Sequence, residues 1–182
     1  MDIYKEFFSL IAHSLPMSSF KAIAVKKSLA HQSIQDVIFD MYYQLIHLGV
    51  DHEVNTHRID LPRQILYQKD EETGEAYQLT QLEERLDERL HRKYASRVLL
   101  SGLTTVPSYV SPHIQIADLF AAGIARKLNF LNSSTHNHKD ELSDYIWDFL
   151  EINKIKFHIN MLSDENHQSN NENDMSVLYI FE

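Results

Sequence analysis

An α/β fold is what the sequence predicts, from three observations. Short apolar, β-prone segments alternate with segments of helical period along most of the chain. The composition, 43% hydrophobic and 24% charged with only four Gly and four Pro, is that of an ordinary folded protein and excludes disorder, collagen and coiled coil. A length of 182 residues suits one domain with a real core.

Taken in order, Ile3, Phe7, Leu10 and Ile11 recur at three and four, so residues 2 to 15 read as an amphipathic helix ended by Leu15-Pro16. SFKAIAVKKS, residues 19 to 28, is short and apolar, closes on Lys26-Lys27, and suits a strand buried on both faces. Ser33, with Asp36 at the capping-box position, opens a helix striped by Ile34, Val37, Ile38, Met41, Leu45 and Leu48, with Gly49 as the expected stop. Residues 50 to 60 then lack a helical stripe and lie before the Leu61-Pro62 break, which predicts a strand ending at Asp60. Residues 67 to 78 read as a polar loop or hairpin around Gly74. Thr80 and Glu83 open a helix with the stripe Leu79, Leu82, Leu86, Leu90 and Tyr94, whose charged faces are a solvated surface.

RVLLSGLTTV, residues 97 to 106, is the next strand, and Ser111-Pro112 starts a helix that runs to Asn129. Glu141 to Ile152 follows as a helix, KIKFHINML as a strand, and residues 163 to 174 as a low-complexity polar linker. SVLYIFE at the end is β-prone and calls for a folded receiver. The organisation expected is one α/β domain over residues 1 to 160, with residues 161 to 182 as an acidic linker and a β-prone segment.

The formal charge of −9 argues against coating of nucleic acid by bulk electrostatics. Residues 161 to 182 carry five acids and no Lys or Arg, so the remainder stands at −4, and a local basic groove remains permitted. The absence of cysteine excludes a disulfide scaffold, a thiolate zinc site and a cysteine nucleophile. No apolar stretch approaches the roughly 18 to 20 residues that span a bilayer, and MDIYKEFF carries no cleavage pattern. A cytoplasmic protein without membrane contact is the expectation. Walker A, GxGxxG, GxSxG and HExxH patterns are absent, and His136 and His138 lack zincin spacing.

Two carboxylates stand out. Asp118 has Ile114, Gln115, Ala121 and Ala122 at helical spacing, a small, mostly apolar face of the kind that packs on a sheet. An ionised carboxylate there requires a cation, a metal or hydrogen-bond donors; the alternative is a structural Asp at the border of that face. Asp60, at a strand end, sits where open α/β sheets place their sites, although Asp before Leu-Pro is also a common turn residue. Strand alternation sets Arg58 on the same face as Asp60, where an ion pair is the ordinary outcome. Lys26, Lys27 and Arg58 are the candidate nucleic-acid contacts, although a lysine pair that ends a strand is more often a solubilising edge.

The order of elements from residue 5 to 130, with FKAIAVKK at 20 to 27 and above all SPHIQIADLFAAGIARKLN at 111 to 129, resembles the bacterial family called domain of unknown function 3800. The resemblance covers about two thirds of the chain. It implies a truncated ribonuclease H-like mixed sheet flanked by helices, and a metal-dependent nuclease tied to phage defence or mobile elements. It further implies that Asp60 and Asp118 are catalytic and bind Mg²⁺ or Mn²⁺. Family members begin with a strand hairpin carrying an Asp-Glu-Ser-Gly-like motif, which has no counterpart here, so the first carboxylate is missing. The expectation is a subunit of an assembly, inactive alone, with a non-enzymatic scaffold or regulatory module as the alternative. The missing strands leave residues 20 to 27 with an unpaired flank, covered either by SVLYIFE or by another chain, and predict a homo-oligomer or a partner protein.

Overall fold

The computed structural model describes residues 2–14, 18–26, 33–129, 137–152, 156–159 and 176–181. In chain order the elements are α1 (Asp2–Ser14), β1 (Phe20–Val25), α2 (Ile34–Asn55), β2 (Arg63–Asp70), α3 (Ala76–Tyr94), β3 (Val98–Val106), α4 (Pro112–Asn129), α5 (His138–Phe149), β4 (Lys156–Ile159) and β5 (Ser176–Phe181), with a 3₁₀ turn at Ser108–Val110. The class is α/β. Where a mixed sheet was expected, every strand pair among the described residues is parallel. The linker expected at 163 to 174 lies outside the described residues. Two compact units are formed, one from Met1–Lys26 with Ala117–Glu182 and one from Lys27–Ile116.

The first unit is built on a sheet of order β1-β5-β4. β5 is its middle strand, paired with β1 from Phe20↔Ser176 to Val25↔Phe181. The flank of β1 foreseen as open is therefore occupied by SVLYIFE of the same chain. Its side chains Val177, Leu178, Tyr179 and Phe181 are buried. An aromatic cluster fills the rest of this core, with Phe8 between Phe120, Tyr145 and Phe149 at ring separations of 5.5, 5.3 and 5.1 Å. α4 and α5 approach closely at Gly123, where a Cβ would come within 2.6 Å of Ile146. Asn137 and Asp140 form a capping box at the start of α5.

The second unit is a β-α-β motif, β2-α3-β3, with α2 added. Strands β2 and β3 pair in parallel from Arg63↔Val98 to Asp70↔Val106 and form a two-stranded sheet. Ile46 and Val50 of α2 and Leu82, Leu86 and Leu90 of α3 pack on Ile65, Tyr67, Val98 and Leu100, so both helices cover the same face of the sheet.

Two expectations fail here for physical reasons. The strand expected over 50 to 60 is the last part of α2, which runs through Gly49 to Asn55. A helical Gly costs only about 1 kcal/mol, and Val50 and Val54 continue the buried row begun by Ile46. Residues 67 to 70, expected in a loop, are the end of β2, and only 71 to 75 are turn. Inward-facing Ile65, Tyr67 and Lys69 alternate with outward Gln64, Leu66 and Gln68. A lysine on the inner face and a leucine on the outer one conceal the strand pattern.

Candidate functional site

Because residues 50 to 60 are not a strand, Asp60 does not end one. It is exposed, in the connection leading into the first residue of β2, at the opposite end of the strand from where α/β sites are built. The face of α4 that holds Asp118 also differs from expectation: Ala117, Asp118, Ala121, Ala122 and Ala125 are all exposed, and the buried side is Phe120, Gly123 and Ile124. Asp118 thus escapes the desolvation that would have demanded a cation. The two carboxylates belong to different units, Asp60 to 27–116 and Asp118 to the other. Among the described residues no group of three His, Asp or Glu side chains is arranged to hold a metal ion.

Arg58 is a structural partner, its Nε 3.3 Å from Glu53 of α2. Lys26 is exposed just past β1, its backbone N–H donating to the Phe181 carbonyl at 3.2 Å. Lys27 and His136 lie outside the described residues.

The groups that sequence reasoning missed lie in the second unit. At the C-terminal end of β2, Lys69 is 4% exposed. Its ammonium donates to Glu75 Oε2 and to the Asp70 carbonyl, each at 2.6 Å, and lies 5.8 Å from the Tyr42 ring centre. Glu75 is buried as well, and its other oxygen accepts the Glu72 N–H at 2.9 Å. Asp70 accepts the N–H groups of Glu71 and, across the sheet end, of Ser108 at 2.8 Å. Together these bonds fix the turn before α3, a helix that begins without a side-chain cap. Lys69 followed by acids at positions 70, 71, 72 and 75 was the available sequence signal, and it read as loop.

A polar seam joins α2 to α3. Arg85 donates to Asp40 at 2.9 Å, and the seam continues at His47, seven residues on in α2, and at Arg89, four residues on in α3. There His47 is buried, with Nε2 donating to Gln44 Oε1 at 2.8 Å while Nδ1 finds no partner among the described residues; the same holds for Arg89 Nε. At the next step Asp51 accepts from Lys93 at 2.6 Å and from Tyr94 at 2.5 Å. Burial, opposed by Asp51 and aided by Arg89 and Lys93, pushes the His47 imidazole down to about 4. Burial and the hydrogen bond to Asp51 hold the Tyr94 hydroxyl above its ordinary range.

The remaining feature is a surface. The sheet face opposite the helices carries Gln64, Leu66, Gln68, Leu99, Ser101 and Thr104, with Leu66 57% and Leu99 45% exposed. Parallel sheets are normally covered on both sides. No helix among the described residues is long and apolar enough to cross a membrane. No family model, curated protein or solved structure matches the chain.

Proposed function

We propose that the chain is a non-enzymatic interaction subunit of a larger assembly, a ribonuclease H-like α/β module that binds its partner through the open sheet β2-β3. The observation that carries the reading is the face of that sheet opposite its helices, which no described element of its own unit covers and where Leu66 and Leu99 are exposed, on an architecture usually covered on both sides. The phage-defence or mobile-element setting comes with the resemblance and belongs to the same proposal. The nuclease reading is weaker, because Asp60 and Asp118 are each exposed, in separate units, and no third acid groups with either among the described residues.

The test has two arms. The purified chain, supplied with Mg²⁺ or Mn²⁺, is expected to leave single- and double-stranded DNA and RNA uncut; cleavage that disappears in Asp60→Asn or Asp118→Asn overturns the reading. In the assembly isolated from its own cells, the amides of Arg63–Asp70 are expected to exchange more slowly than in the recombinant chain. Equal exchange in the two samples removes the sheet as the binding element.

A further inference from the structure

We infer that the partner of the open sheet is a second copy of this chain, joined by antiparallel pairing of the free edge of β2 about a two-fold axis. The inference rests on the interaction-subunit reading and places its contact at an edge of that sheet.

Three observations single out this edge and this partner. Both strands of the sheet have a free flank among the described residues, since the sheet holds β2 and β3 alone. The strands differ in one device that blunts edges: in β3, Ser101 is an extra residue between the pairs Ile65↔Leu100 and Leu66↔Gly102, which makes a bulge there, whereas each strand has a proline just outside it, Pro62 before β2 and Pro107 after β3. From Gln64 to Gln68, β2 has no charge and no proline. Lys69 is turned inward and bound to Glu75.

The ends of β2 then decide who pairs with it. Arg63 opens the strand and Glu71 directly follows it, both exposed, and neither side chain has an ion-pair or hydrogen-bond partner among the described residues. The Glu71 N–H still bonds to the Val106 carbonyl at 3.2 Å, so this residue continues the sheet. An antiparallel neighbour identical to β2 meets base with acid at both ends. With the two-fold axis at Tyr67, Arg63 of one copy stands opposite Glu71 of the other, and residues of equal parity face each other, so the helix-covered faces of both copies fall on one side. The same register sets the two Leu66 side chains diagonally across the junction, within reach of one another. Such a contact is isologous and self-limiting, as closed dimers require. A parallel neighbour of the same sequence would set acid beside acid and base beside base.

The test is a charge exchange at the two ends. Sedimentation of the full chain at roughly 100 µM, above the micromolar dissociation constant expected of so small a contact, is expected to show a dimer. Arg63→Glu or Glu71→Arg alone is expected to raise the dissociation constant about tenfold. The double variant is expected to dimerise again with itself but not to mix with the wild type, because every mixed contact pairs like charges. Circular dichroism of each variant identifies any loss of fold, and Leu66→Lys, beside the axis, sets two like charges diagonally across the junction and gives a second disruption that leaves both ends intact. A wild-type monomer, or a dimer indifferent to all these changes, overturns the inference. A monomer whose β2 amides are nonetheless protected in the isolated assembly overturns self-association alone, whereas nuclease activity, or unprotected amides there, overturns the parent reading.

Discussion

His47 couples the fold to pH with a definite sign. Its imidazole titrates at about 4 when folded and at an ordinary 6.5 when not, so between these values the unfolded chain binds a proton that the folded chain refuses. This stability is fully present above about pH 6.5 and is lost as the pH falls toward 4, to an extent of up to about 3 kcal/mol. The side chains facing the ring reinforce the direction, since Arg89 and Lys93 oppose a second cation and only Asp51 favours it. Urea unfolding of wild type and His47→Gln at pH 7 and pH 4.5 is expected to give a clearly smaller acid loss in the variant; equal losses would assign the acid sensitivity to other groups. A second residue-scale expectation concerns Lys69 and Glu75, two buried opposite charges 2.6 Å apart. Glu75→Gln strands an ammonium and is expected to cost on the order of 3 kcal/mol. Lys69→Met with Glu75→Leu removes both charges and is expected to cost much less, as read from denaturant midpoints. A double variant as damaged as the single one would show that the pair acts through turn geometry rather than charge. Neither residue was visible as a site in the sequence, because a lysine among acids reads as solvated surface until the strand that buries it is known.

At the scale of elements, most of the fold was legible where one periodicity ruled a segment. β1, β3 and β5, the helices α1, α3, α4 and α5, and the start of α2 stand within a few residues of where the stripes and caps put them. Ser33 caps α2 by accepting the Asp36 N–H at 3.2 Å, as its spacing implied. The failures cluster between Gly49 and Gly74. Gly49 read as a stop because local propensity is what a sequence displays, while the burial of Val50 and Val54 against α3 and β3 is a tertiary term that outweighs it. β2 was hidden because its two exceptional positions, inward Lys69 and outward Leu66, invert the expected pattern. Those same two positions mark the buried ion pair and the bare face, so the element that sequence reasoning lost is the one on which the proposed function depends. Asp118 shows the converse error. The small-residue row was real, but small residues alone do not say which side of a helix is buried, and the bulkier Phe120 and Ile124 settled it.

For the whole molecule, the C-terminal segment changes from an appendage to a structural centre. SVLYIFE was separable in sequence, beyond a polar stretch, and the first unit nevertheless places it between β1 and β4. Burying Val177, Leu178, Tyr179 and Phe181 is worth roughly 2 kcal/mol for each side chain, and the sum on the order of 8 kcal/mol is comparable to the entire stability of an ordinary domain. Losing β5 also strips both β1 and β4 of their only strand neighbour among the described residues. A chain ending at Leu162 is therefore expected to lose cooperative folding of the first unit. The second unit has its own core of Ile46, Val50, Leu82, Leu86, Leu90 and Val98, and shares no strand with the first. Hydrogen exchange should accordingly show amides of α1, β1 and α5 unprotected in the shortened chain, while those of β2, α3 and β3 stay protected. Undiminished protection in α1 and β1 would mean that β5 is dispensable to the sheet it occupies. Loss of protection in both units together would mean that they fold as one cooperative body.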